Sequence, residues 1–208
     1  MKRSKHDGAK RCAPLRSQAQ RGSSLIEVLV TMVILMVGLL GLVGLMVQAQ
    51  RGQVESYQRI QALVVLQDMV NRINTNRKAA GCYVTATYVG TAGTLPTACA
   101  AGETAEQNAT ADRDLVEWQQ LLLGSAETVS GGGVTSNVGA MIGARGCVTT
   151  LAANFYRVTV AWQGTSATVA PAASAAAAAD IPCAKDLYGA DAFRRAVYQD
   201  VRIIDLNS

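Results

Sequence analysis

Between Val28 and Val47 the chain reads VLVTMVILMVGLLGLVGLMV, twenty residues in which Thr31 is the only polar side chain. At 1.5 Å per residue, a helix of that length crosses a hydrocarbon core of about 30 Å. A helix apolar on every side predicts a wholly apolar surround, whereas a helix on a globular core shows one apolar stripe. Charge agrees with a membrane span. Residues 1–22 carry Lys2, Arg3, Lys5, Lys10, Arg11, Arg16 and Arg21 against Asp7, so this stretch is +6 and the remainder −2 in a chain of net charge +4. A basic flank before an apolar run keeps that end cytoplasmic and sends the rest to the periplasm. The same asymmetry argues against a nucleic-acid-binding body. A cleaved secretory signal is the competing reading, with Val47-Gln48-Ala49 as its small-residue site, but its apolar region normally holds only about 7 to 15 residues.

Of the five cysteines, Cys12 lies in the basic leader, and Cys82, Cys99, Cys147 and Cys183 lie beyond the apolar run. An even number on the oxidising side predicts two disulfides with three possible connectivities. Pairing nearest neighbours, Cys82 with Cys99 and Cys147 with Cys183, closes the shortest loops. Zinc is the rival for these thiols, yet no C-x-x-C pair occurs and no histidine follows His6. No metal and no cofactor are expected.

The 208 residues hold one modest domain plus additional segments. No proline occurs between Pro14 and Pro96, and the helical pattern outlasts the apolar run. Ile60, Leu63, Leu66, Val70 and Ile73 recur at steps of three or four, with Arg59, Asp68, Arg72 and Arg77 left for water. One helix over residues 24–77, about 80 Å long, follows, with Gly81 as its stop. Residues 83–113 read mostly as loop around a strand-like YVTATYV. A short helix from Asp114, capped by Asp112 or Asp114 and ended by Gly124, turns Leu115, Trp118 and Leu122 inward. Gly131-Gly132-Gly133 breaks the chain. Residues 145–151, 155–163 and 194–206 alternate as β-strands, and 170–180, APAASAAAAAD, reads as a long loop. Three antiparallel strands covering the second half of the long helix make an α+β fold.

Catalysis finds no support in the residues. With His6 in the leader, no Ser-His-Asp or Cys-His pair is available to the exported part. Asp112, Asp114 and Glu117 cluster at a helix start, where carboxylates serve as caps and dipole partners. The triple glycine lacks the lysine and following helix of a phosphate loop. Asn108-Ala109-Thr110 has the form of a glycosylation triplet and is short enough to arise by chance. Gly38, Gly41 and Gly44 stand three apart in the span, suited to close helix packing and to local unwinding.

Glu27 is the residue that the apolar run does not explain. Gly22-Ser23-Ser24-Leu25-Ile26-Glu27, after a basic leader and before about twenty apolar residues, resembles the class III signal of type IV pilins and pseudopilins. In that signal a leader ends in glycine, and glutamate stands at mature position five. The resemblance implies that a prepilin peptidase cuts between Gly22 and Ser23 and methylates the amino group of Ser23, while the apolar helix is retained. The first mature residue is Ser23 where the family usually has Phe or Met. SLIEVLVTMVILMVGLLGLVGL, ESYQRIQALVVLQDMVNRINTNR, DLVEWQQLL and FYRVTVAWQG extend the resemblance to PilV-type minor pilins.

What this implies is a type IV pilin-like fold in four parts. These are the cleaved leader 1–22, a transmembrane and assembly helix 23–47, its amphipathic continuation 48–80, and a periplasmic head 81–208. The expected role is a minor pilin that primes pilus assembly with other minor pilins and the major pilin. It would be anchored in the inner membrane, then incorporated into the extracellular pilus, with no nucleic acid and no small-molecule substrate. In the fibre the Glu27 carboxylate would pair with the N-terminus of an adjacent subunit. A minor pseudopilin of a type II secretion system shares every one of these features except the machine served. A single-pass anchor carrying a periplasmic binding domain is the reading from a different class, and it would keep Met1.

Overall fold

The structure is a computed structural model that describes residues 24–131, 133–139, 141–171 and 181–204. Helix α1 spans Leu25–Thr75, and the chain divides between Val47 and Gln48 into two compact units. In the first, all described residues are exposed, and eighteen large apolar side chains between Leu25 and Val47 face outward. Burying a side chain of this kind is worth about 1.5 to 3 kcal/mol, so the segment gains tens of kcal/mol from an apolar surround.

The second unit is built on the rest of α1, which buries Gln58, Ala62, Leu66, Met69, Val70 and Ile73. The expected stripe is thus half right. Ile60 and Leu63 point outward, and Ala62 and Met69 take the inward places. Apolar residues occupy both sides of this helix, so spacing alone does not select the face. The chain then passes through a 3₁₀ stretch, Arg77–Tyr83, and a two-residue strand β1, Val89–Gly90. The strand-like reading of 83–89 survives only there.

Helix α2 runs Ala105–Leu122 and starts about one half-length earlier than the sequence predicts. Its cap is Thr104, whose hydroxyl accepts from the Gln107 N–H while the Gln107 side chain accepts from the Thr104 N–H. This reciprocal box replaces the expected Asp112 or Asp114 cap, and both aspartates lie inside the helix. Gly124, at φ +87°, ends the helix as expected. β2, Thr128–Gly131, pairs antiparallel with β3, Val134–Asn137, and both strands are exposed.

β4, Arg145–Ala152, β5, Phe155–Gln163, and β6, Arg194–Arg202, form with β1 an antiparallel sheet of order β1-β4-β5-β6. Asn154, at φ +54°, makes the tight β4–β5 turn. Along β5, Tyr156, Val158, Val160 and Trp162 enter the main core with α1, α2 and β4. Ala161, on the opposite face, joins a second cluster with Cys147, Cys183 and Tyr188. Trp118 binds the layers together. Its ring is fully buried over Gly146 of β4, and its Nε1–H donates to the Val65 carbonyl of α1 at 2.9 Å. The result is a long N-terminal helix followed by a small antiparallel sheet, the α+β arrangement expected.

Candidate assembly and processing site

The helix begins without delay after the expected cleavage position. The Ser24 carbonyl accepts from the N–H groups of Glu27 and Val28, at 2.9 and 3.3 Å. Glu27 therefore sits in the first turn of α1, where free N–H groups and the helix dipole favour a carboxylate. Its side chain is exposed and makes no hydrogen bond or ion pair with the described residues. Gly22 and Ser23 lie outside the described residues. Thr31, the polar exception in the run, turns its hydroxyl back to the Val28 carbonyl at 2.8 Å and so presents no unpaired donor to an apolar surround. A methyl group placed on Gly38, Gly41 or Gly44 would meet nothing within 4 Å. By length and composition, α1 is suited to crossing a membrane.

In the head, the sulfurs of Cys82 and Cys99 are bonded, as are those of Cys147 and Cys183, with Cα separations of 5.4 and 5.8 Å. Each bridge ties a loop to an element of the core. Three charged clusters do similar work. Arg72 of α1 bonds Asp68, Asp114 and Glu117 at 2.6 to 2.8 Å, so it joins α1 to α2 instead of facing water. Desolvation opposes its charge, but the hydrogen bonds it donates to Glu117, Asp68 and Asp114 prevail and hold the guanidinium protonated. Burial, and then the Asp114 carboxylate, push the Tyr83 hydroxyl above its ordinary range.

The second cluster centres on Arg194, a fully buried cation on β6. It donates to both Asp191 oxygens and to the carbonyls of Ile181 and Cys183, pinning the segment that carries the second disulfide. Those bonds from Arg194 outweigh burial and hold the Asp191 carboxyl below its usual range. In the third, Glu55 Oε1 accepts from Thr165 N, Thr165 Oγ1 and Arg195 Nη2 at 3.0 to 3.3 Å. Burial raises the Glu55 carboxyl, but the Thr165 bonds and the Arg195 charge leave it lowered overall. Sequence reading missed these clusters, although Asp68 and Arg72 carry the i, i+4 signal of a helical ion pair. Asn108 lies in α2, not in a loop, and its side-chain oxygen accepts from the Gly102 N–H at 2.7 Å.

The arrangement is structural: an exposed apolar helix bearing one carboxylate, and a head closed by disulfides and ion pairs. Residues 17–43 match the prokaryotic N-terminal methylation motif, and residues 44–116 match the family described as Type IV pilin Tt1218. The chain is type IV pilin-like. No curated protein and no solved structure gives a significant match. Within this pilin-like chain the methylation motif contains Gly22, Ser23 and Glu27, and the pilin match takes in the rest of α1, the Cys82–Cys99 bridge and the first part of α2. A methylation motif on an apolar N-terminal helix fits a membrane-anchored, pilin-type protein.

Proposed function

We propose that the chain is a minor pilin of a type IV pilus, of the PilV type, which primes assembly as one member of a minor-pilin complex. Prepilin peptidase cuts between Gly22 and Ser23 on the cytoplasmic side and methylates the Ser23 amino group. Until assembly the protein waits in the inner membrane with its head in the periplasm. During assembly the apolar part of α1 leaves lipid for the helices of neighbouring pilins, and Glu27 meets the N-terminus of one of them. The protein has no catalytic role of its own.

The observation that carries this reading is the pairing of the methylation-motif match with the exposed surface of Leu25–Val47 around a Glu27 that has no partner among the described residues. A carboxylate in an apolar surround is costly when alone and is retained where a cation from another molecule completes it. Mass spectrometry of the purified N-terminus tests the processing step. A methylated Ser23 is expected, and retained Met1 would leave a plain membrane anchor. Complementation tests the assembly step. In a strain lacking the native protein, Glu27→Leu should insert into the membrane normally and fail to restore piliation. Wild-type piliation by that variant refutes the role given to Glu27.

A further inference from the structure

We infer that the outer edge of β3 pairs with the same edge of a second copy of this chain, joining two β2–β3 pairs into one four-stranded sheet about a two-fold axis. The register shows which backbone groups are free. Val138 N donates to Glu127 O, one step beyond the Thr128–Asn137 pair. Antiparallel pairs alternate between bonded and non-bonded, so Val129 bonds Ser136 and Gly131 bonds Val134. The N–H and C=O groups of Thr128 and Ser130 on one edge, and of Thr135 and Asn137 on the other, therefore point outward, and none of them has a backbone partner there among the described residues. From Thr128 to Ala144 the sequence has no charged residue and no proline, so neither edge carries the usual guards against a further strand. A lone two-stranded sheet is at best marginal in water, and added strands with an apolar face relieve that.

The side chains select the edge and the partner. Val129, Val134 and Val138 share one face and are each more than half exposed, and a methyl group on Gly131, on that same face, would meet nothing within 4 Å. Thr128, Ser130, Thr135 and Asn137 share the other face, where Ser130 Oγ and Thr135 Oγ1 lie 3.2 Å apart. Set two copies of β3 antiparallel with Ser136 opposite Ser136, and Thr135 of each exchanges backbone bonds with Asn137 of the other. That register also sets Val134 against Val138 twice, in non-bonded pairs where side chains come closest. β3 is thus complementary to itself in backbone, apolar face and polar face, and its lack of charge suits an uncharged partner. The equivalent register on β2 matches only Val129 with Val129 and sets Glu127 opposite Gly131. Glu127 is also engaged by α1, through the Tyr57 hydroxyl at 3.0 Å. A contact of this isologous kind closes at two copies and does not propagate.

The test uses the full chain in detergent, with Cys12→Ser removing the one cysteine outside the two bridges. Ser136→Cys places thiols at the two-fold axis, in a non-bonded pair with a Cα separation of about 4.5 Å, within disulfide reach. Under mild oxidation it should give a covalent dimer, with peptide mapping confirming that both native bridges are intact. Val129→Cys, at the centre of the β2 edge, should cross-link at least about tenfold more slowly. Adding Val134→Lys, which guards the edge, or Asn137→Pro, which removes an outward N–H, should slow the Ser136→Cys reaction by at least about tenfold while leaving the melting midpoint of the head unchanged. Absence of a Ser136→Cys dimer overturns the proposal. Equal or faster cross-linking through Val129→Cys overturns it in favour of the β2 edge. Cross-linking indifferent to both added substitutions also overturns it and assigns the association to the apolar part of α1. The experiment needs neither cleavage after Gly22 nor a fibre, so its failure is distinct from failure of the pilin reading.

Discussion

Gly146 is the position where one added methyl group should report on the packing of the whole head. A Cβ there would lie 2.7 Å from Trp118 Cζ3 and 2.8 Å from Leu122 Cδ1, and closer still to Trp118 Cη2. Ring and leucine both belong to α2, and both are fully buried, so neither has solvent to move into. Overpacking of this kind costs about 2 kcal/mol. Displacing the ring also breaks the Trp118 Nε1–H bond to Val65 O, which is worth about 1 kcal/mol. Against this, replacing glycine lowers the entropy of the unfolded chain by about 0.5 to 1 kcal/mol. The net loss for Gly146→Ala is about 2 kcal/mol, or roughly 4 to 8 °C in the melting midpoint of a head this size. Thermal unfolding of the full chain in detergent, followed by tryptophan emission, measures it. Gly131→Ala is the control, because a methyl group there meets nothing within 4 Å and should leave the midpoint unchanged or slightly raised. Should Gly146→Ala melt with the parent and show the parent's emission, the ring does not lie on β4 and the layer packing argued from it is wrong.

Thr104→Ala removes the capping box of α2 and should cost about 1 kcal/mol in the same melt. Replacing Cys147 and Cys183 together by serine opens a 36-residue separation and should destabilise by about 4 kcal/mol, against about 3 for Cys82 and Cys99 at a separation of 17. Asp191 governs an acid dependence whose sign follows from its lowered pKa: its contribution is complete above the unfolded carboxyl value near about 4 and disappears as pH falls through the lower folded value. Asp191→Asn should therefore melt lower than the parent at neutral pH, because Arg194 is left buried without its counter-ion, and the gap should narrow in acid. A gap that widens in acid would contradict the assignment.

How legible each element was depends on how many signals agree at it. The apolar run needs only composition, and β5 needs only alternation, since Tyr156, Val158, Val160 and Trp162 all enter one core. The inward face of α1 is harder. Tyr57, Ile60 and Val64 lie outward with Ala62, Leu66 and Met69 inward, so two apolar stripes compete and the larger residues mislead. The start of α2 was readable in principle, because Thr104 and Gln107 are at capping-box spacing, but the surrounding Ala, Thr and Asn residues resemble a loop. The β2–β3 hairpin has no buried face and hence no pattern to detect. Of the candidate site, Glu27 stands out because it breaks a rule of its segment. The Arg72 and Arg194 clusters do not, because their partners are brought together by the fold from distant parts of the chain.

The two stretches of α1 meet different demands, and the difference explains why one helix carries both. From Gln58 to Ile73 a single face is buried by the sheet and by α2. From Leu25 to Val47 all described residues are exposed, and the apolar surface calls for an apolar surround. Lipid meets the apolar demand but offers Glu27 nothing, whereas a bundle of similar helices meets both. In the proposed assembly the cation is the amino group of a neighbouring pilin, which exists only after cleavage of its own leader. A precursor cannot supply it. Processing would thus decide which subunits can complete the carboxylate, and the unpaired glutamate would distinguish processed neighbours from unprocessed ones at the point of incorporation.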